Sequence, residues 1–298
     1  DRSVSRGLGD VYKRQLQHDE RKQSNKISKL IDLDKPLFIS ADFIHIKPEL
    51  DKLVDEFNHP YFLKSDPLGL LRSFKNQKDL EIMGLFLATI AWGNRKSIIQ
   101  SGKKLIDIFE NEPYYFVKSY DSSLTHKLTD FKHRTFNGFD LHFFIERLRD
   151  IYKKYDSLEQ ILSPAFSKSN NAYEPILRFR ITFLGEYTDI RSKKHIANPS
   201  NGSAAKRLNM YLRWMVRKDN KGVDLGIWSS IPMSKLSCPI DVHSGNTARK
   251  FNLLSRKQND WKSVVELDEN LRKMDPYDPV KYDFALFGYG VKNKKLNY

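Results

Sequence analysis

The chain has 298 residues, 40% of them apolar, and carries 51 Lys and Arg against 37 Asp and Glu, a formal charge of +14. The apolar share, with 12% Phe, Tyr and Trp, supports a folded core rather than a disordered chain, and no apolar run approaches the roughly 18 residues that span a bilayer. The single cysteine, Cys238, excludes an intramolecular disulfide, a cysteine-ligated iron–sulfur cluster and a cysteine-based zinc site.

A basic excess of this size points to a polyanion, because neutralising phosphates dominates nucleic-acid affinity. No basic amphipathic segment stands out, so a membrane surface is not the expected partner. There is no secretory signal, and a cytoplasmic location is the expectation. The histidines show no ligand spacing, so no metal and no cofactor is expected.

Taken in chain order, residues 1–15 read as foreign: Gly7-Leu8-Gly9-Asp10-Val11-Tyr12-Lys13-Arg14-Gln15 resembles a translated sequencing-adapter remnant. Residues 16–46 form a polar lead-in, and residues 47–298 the folded domain. Leu80 to Trp92 is apolar nearly all round and predicts a buried central helix. Ile98 to Phe109 and Leu141 to Tyr155 space their apolar residues by three and four, with charges opposite, as surface helices do. Phe166 to Asn171 reads as a loop. Ser192 to Ser203, rich in Ser, Asn, Gly and Pro, joins two helical regions. Trp261 to Met274 and Tyr282 to Phe287 predict further helices. Asp278-Pro279 reads as a cap with proline at the first helical position. Alternating strand patterns are scarce, so the fold class is mainly α.

Two segments carry chemistry. Ser203, as N-cap, opens a helix whose buried stripe is Leu208, Leu212 and Met215, with Lys206 in its first turn. A cation there faces the positive end of the helix dipole, which favours the neutral amine. Only that form attacks, so Lys206 is a candidate nucleophile; a solvated lysine at a helix start is the alternative. Downstream, Cys238-Pro239-Ile240-Asp241-Val242-His243 reads as an extended arrival ending in a helix cap, with Ala248, Phe251 and Leu254 at helical spacing behind it. Asp241 is a plain cap or a catalytic carboxylate.

The order of these segments resembles the helix-hairpin-helix GPD superfamily of DNA glycosylases. In that superfamily a lysine begins the helix after the hairpin and an aspartate sits in a Val-Asp-x-His type motif. Pro239-Ile240-Asp241-Val242-His243 is similar to the Pro-Val-Asp-Val-His of 8-oxoguanine glycosylases, and the resemblance runs in outline from Asp66 to the C-terminus. The whole is similar to a bacterial family carrying Ala91-Trp92-Gly93-Asn94-Arg95-Lys96 and Tyr282-Asp283-Phe284-Ala285-Leu286-Phe287-Gly288-Tyr289-Gly290, placed beside the archaeal 8-oxoguanine branch. The chain departs from the pattern at the hairpin, where Asn198-Pro199-Ser200-Asn201-Gly202-Ser203 replaces Leu-Pro-Gly-x-Gly. It departs again in a longer connection between Lys206 and Asp241, the extra length being Lys218 to Leu236.

The resemblance implies a two-lobed helical fold with a central cleft, over residues 47–298. It also implies a monomer that acts on double-stranded DNA with a damaged base, 8-oxoguanine as the best guess. Lys206 and Asp241 would be catalytic, the lysine forming a Schiff base that also permits strand cleavage. His243, Asn94, Arg95, Lys96, Trp228 and Arg207 would contact DNA or the base. Simpler readings stand beside several of these. His243 suits structural hydrogen bonds, Asn94-Arg95-Lys96 a helix C-terminus, and Trp228 a packing anchor. The basic triplet Lys132-His133-Arg134 is read either as meeting phosphate or as merely solvated. A non-catalytic nucleic-acid-binding protein with the same helical fold is the alternative function, and a helical protein-interaction domain a third. A wide separation of amine and carboxylate with no cleft between them would favour the first alternative, and low or salt-insensitive DNA affinity the second.

Overall fold

The computed structural model describes residues 43–187 and 189–296. Residues 1–15 and most of the expected lead-in lie outside the described residues. Helix α1, Phe43–Phe57, takes up the last four residues of that lead-in. The described residues are mainly helical, and their one sheet is a hairpin, β1 (Lys132–His133) with β2 (Phe136–Asn137). No helix among them is long and apolar enough to cross a membrane.

Helix α2, Gln77–Ile90, is the centre of the molecule. The Asn76 side chain caps it by accepting from the Lys78 N–H at 2.8 Å, and every residue from Leu80 to Ile90 is buried. Burying each large apolar side chain there contributes about 1.5–3 kcal/mol. Its neighbours α3 (Arg95–Ile108) and α4 (Pro113–Ser119) pack on it, followed by α5 (Gly138–Tyr152), α6 (Glu159–Ser167) and α7 (Tyr173–Leu184). The remaining helices are α8 (Lys206–Val216), α9 (Val242–Lys250), α10 (Trp261–Met274) and α11 (Tyr282–Leu296). Helix α8 lies directly on α2 at Gly84, where an added Cβ would sit 2.5 Å from Met215 Cε and 3.1 Å from the Tyr211 ring. Its stripe Leu208, Leu212 and Met215 is buried, as expected. At the other end of the chain, α11 packs on α1 and α9, and α10 on α1.

Several helix ends differ from the expected bounds: Ala91 and Trp92 lie beyond α2, Phe109 beyond α3 and Lys153 to Tyr155 beyond α5, while Phe166 and Ser167, expected in a loop, end α6. α9 stops at Lys250, because Asn252 adopts a left-handed φ of +56° and the Leu253 N–H donates back to the Ala248 carbonyl at 2.8 Å. Phe251 and Leu254 therefore lie beyond the helix. Asp278 precedes a short turn, Pro279–Lys281, with proline in first position, but makes no capping bond; its carboxylate instead accepts from Arg217 Nε at 3.0 Å.

Trp228, expected to stack on a base or wedge into DNA, is a core residue. It is 1% exposed, its ring stands edge-on to Tyr211, and its indole N–H donates to Glu81 Oε1 at 2.8 Å. Glu81 is fully buried and also accepts from Gln77, Tyr152, Ser157 and the Leu158 N–H. A buried carboxylate persists only when donors surround it in this way. The long connection that carries Trp228 folds back over the end of α8. The Leu225 and Trp228 N–H groups donate to the Trp214 and Met215 carbonyls at 2.9 and 2.8 Å, filling acceptors that a helix C-terminus leaves open.

Candidate active site

The turn before α8 is closed by its own backbone. Asn198 Oδ1 accepts from the Ser200 N–H at 3.2 Å, Gly202 takes φ +83°, and the Trp261 N–H donates to the Gly202 carbonyl at 3.0 Å. Ser203 does not cap α8. Its hydroxyl accepts from the Ala205 N–H at 3.2 Å, so the capping position falls to Ala205, at φ +47° and with no side-chain acceptor. Lys206 is then the first helical residue, in the first turn as expected.

Asp241 closes the start of α9 with a capping box. Its Oδ1 accepts from the N–H groups of His243 at 2.8 Å and Ser244 at 3.0 Å, while the Asp241 N–H donates to Ser244 Oγ at 2.9 Å. Capping occupies Oδ1. The other oxygen, Oδ2, lies 3.9 Å from Lys206 Nζ. The two side chains are 29% and 25% exposed, so both face the solvent-filled side of the fold rather than the core.

The pair sits in a cleft of about 770 Å³ with apolar walls from Phe62, Trp92, Met210, Trp214 and Phe287. This is the size range and wall chemistry of a small-ligand site. Helix α8 supplies one wall from successive turns: Lys206, Met210, Arg213 and Trp214 share a face. Asp66, Arg95, Arg213 and Asp283 add charge that the sequence reading did not assign to the site, Arg95 excepted. Arg213 donates to Asp283 and to Asp224 Oδ1, the latter at 3.2 Å. Burial pushes the Asp283 carboxyl up to about 6, against the pull of the Arg213 guanidinium, with Asp241 pushing further and Lys206 pulling back. Burial likewise raises the Asp66 carboxyl, opposed by the Leu68 N–H that it accepts and by Arg95. Arg95 lies 3.8 Å from Asp66 Oδ2 and over the faces of Phe62 and Phe287, at 5.6 and 5.4 Å.

A family model described as "Protein of unknown function (DUF2400)" matches residues 66–292, which include every cleft-lining residue but Phe62. The chain belongs to this family. No curated protein and no solved structure matches it.

The other expected site residues divide. His243 lines the cleft with its ring edge-on to Phe287 at 6.5 Å. Arg207 lines it too, donating to the Thr89 carbonyl at the end of α2. Asn94 does not reach the cleft. It caps α3, accepting from the Lys96 and Ser97 N–H groups at 2.9 and 3.4 Å, so Asn94-Arg95-Lys96 begins a helix rather than ending one. Lys96 is exposed and outside the cleft, and Trp228 is in the core. Among the missed residues, Arg213 was legible as the position two turns beyond Lys206 on the same face. Asp283 lies within the quoted Tyr282–Gly290 motif. Nothing local marks Asp66, whose Oδ1 reads as a cap on the Leu68 N–H at 3.0 Å.

Proposed function

We propose that the protein is a DNA glycosylase with an attached lyase step, built on a two-lobed helix-hairpin-helix glycosylase-like fold. The observation that carries this reading is the approach of Lys206 Nζ to Asp241 Oδ2, 3.9 Å apart at an aromatic-walled cleft. Two helix starts separated by 35 positions meet there with the residue types that the resemblance requires. The lobes correspond to the helices around α2 and to the group formed by α1 with α9, α10 and α11.

A damaged nucleotide is extruded into the cleft, at a cost of a few kcal/mol, with its base between the aromatic walls. Asp66 and Asp283 present carboxyl groups to the N–H edge of such a base. The neutral Lys206 amine attacks C1′ of the sugar as the bond from C1′ to the base nitrogen breaks, the electron pair leaving on the base. Asp241 Oδ2 stabilises the positive charge that develops on the sugar and then on the amine. The attached amine loses one proton to solvent, and the C1′–O4′ bond then breaks with O4′ taking up a proton, which leaves a protonated Schiff base between Lys206 and C1′. Removal of a C2′ proton then expels the 3′ phosphate. A basic cavity of about 610 Å³ adjoins the cleft, shares Lys206 and Arg207 with it, and is lined by Arg180, Lys193 and Lys194 and by the altered hairpin turn. It suits the phosphates that flank the extruded nucleotide.

The lesion, 8-oxoguanine, follows from the resemblance. The test is single-turnover base release and strand scission on duplexes carrying 8-oxoguanine and other oxidised bases. The wild type releases a base and nicks the strand, and Lys206→Gln does neither. Binding without base release from any lesion would contradict the reading and favour a non-catalytic nucleic-acid-binding protein.

A further inference from the structure

Beside the cleft lies a second concavity, of about 640 Å³, lined by Ser97, Lys103 and Lys104 of α3, by Asn94 before it, and by Lys132, His133 and Arg134 of the hairpin. It borders the cleft through one segment: Gly93 and Arg95 line the cleft, and Asn94 between them lines the concavity. The Arg134 guanidinium lies 4.9 Å above the Trp92 ring, which itself forms cleft wall.

Three observations give this surface its chemistry. No carboxylate lines it. Lys103, Lys104, Lys132 and Arg134 are exposed, and none forms an ion pair among the described residues. Four cations share this one concavity. The cations are also held in place from behind. Buried His133 shares a hydrogen bond with Ser101 Oγ at 2.8 Å through Nδ1 and contacts the Trp92 carbonyl through Nε2 at 3.2 Å. The hairpin is thereby fixed to α3 and to the cleft wall, with Arg134 at φ +54° in the turn between the strands.

We infer that this concavity holds the phosphodiester backbone of the duplex whose damaged nucleotide enters the cleft, an inference that rests on the function proposed above. Cations exposed along a rim fit a long polyanion better than a single phosphate, which would be met by groups converging on one buried point. The lining is polar, with no apolar side chain to enter a bilayer. A second basic cavity also adjoins the cleft, sharing Lys206 and Arg207 with it.

The test is the salt dependence of binding to an undamaged duplex. The variant Lys103→Glu/Lys104→Glu/Lys132→Glu/Arg134→Glu is compared with a charge-matched control, Lys52→Glu/Lys118→Glu/Lys154→Glu/Lys262→Glu. The control residues are exposed and line none of the described cavities. Each phosphate contact contributes about 0.9 to the slope of log K against log salt. The concavity variant is expected to lose about 3 or more from that slope relative to the control, and at least about tenfold in affinity. Equal slopes in variant and control would overturn the inference. A wild type that binds with the full slope yet releases no base would remove the glycosylase reading and leave this surface standing.

Discussion

Asp241 divides its two oxygens between two tasks. Oδ1 is committed to the His243 and Ser244 amides, and that fixes the rotamer which sends Oδ2 toward Lys206. Capping is the means of aiming. Asparagine caps as well as aspartate, so Asp241→Asn is expected to shift folding stability by less than about 1 kcal/mol. Without the negative charge, base release should fall about 100-fold or more. Thermal melting beside single-turnover kinetics separates the two effects, and a variant that unfolds while the rate per folded molecule is unchanged would make Asp241 a cap alone. The capping role was legible in Pro239-Ile240-Asp241 because it involves only the next three residues. The partner of Oδ2 was not, since Lys206 reaches it through tertiary packing.

Asp268 gives a pH prediction on the same scale. Its Oδ1 accepts from the Cys238 N–H at 2.8 Å, while Oδ2 is buried without a hydrogen-bond partner. Burial pushes its carboxyl up to about 6, against the pull of Arg272. A carboxyl raised in the folded state stabilises the protein when protonated, and that contribution is lost as pH rises from about 4 through about 6. Asp268→Asn removes the loss. Relative to wild type, the variant should gain up to about 3 kcal/mol between pH 4 and pH 7, seen as a difference in urea midpoints. A constant difference across that range would show that Asp268 does not titrate there.

At the scale of elements, the connection between α8 and α9 is the least legible part of the chain. The resemblance puts Trp228 within it against DNA, with a packing anchor as the simpler reading. The structure instead uses it to fill the end of α8 and to bring an indole N–H to the buried Glu81. The signal was absent because Glu81 lies 147 positions away. Trp228→Phe keeps most of the buried surface and removes one donor from that carboxylate, which should cost about 1–3 kcal/mol. DNA affinity should be unchanged, and a loss of affinity at constant stability would return Trp228 to the binding surface. The long periodic elements were legible: α2 is buried from Leu80 to Ile90, and α10 spans Trp261–Met274 as its pattern predicts. Helix ends were less so. Ser203 and Phe251 were misplaced because a left-handed residue, Ala205 or Asn252, sets the boundary, and apolar spacing carries no mark of it.

For the whole molecule, the first and last described helices close one group, α1 against α11. They meet at Gly288, where a Cβ would lie 2.2 Å from the Phe57 ring. Gly288→Ala must displace that ring and is expected to cost about 1–3 kcal/mol by denaturant unfolding; no change would mean that this contact yields freely. The net charge of +14 is not spread evenly over cavities. Basic concavities without a lining carboxylate flank a cleft that holds both signs. Composition gives the basic excess, but only the packing of α3, the hairpin and the turn before α8 shows where those charges gather. The central claim is that Lys206 is the nucleophile aimed by Asp241, and borohydride trapping tests it most directly. With a duplex carrying 8-oxoguanine, the wild type should give a covalent adduct whose mapped peptide contains Lys206, and Lys206→Gln should give none. An adduct that persists in Lys206→Gln, or that maps to another lysine, would contradict the account.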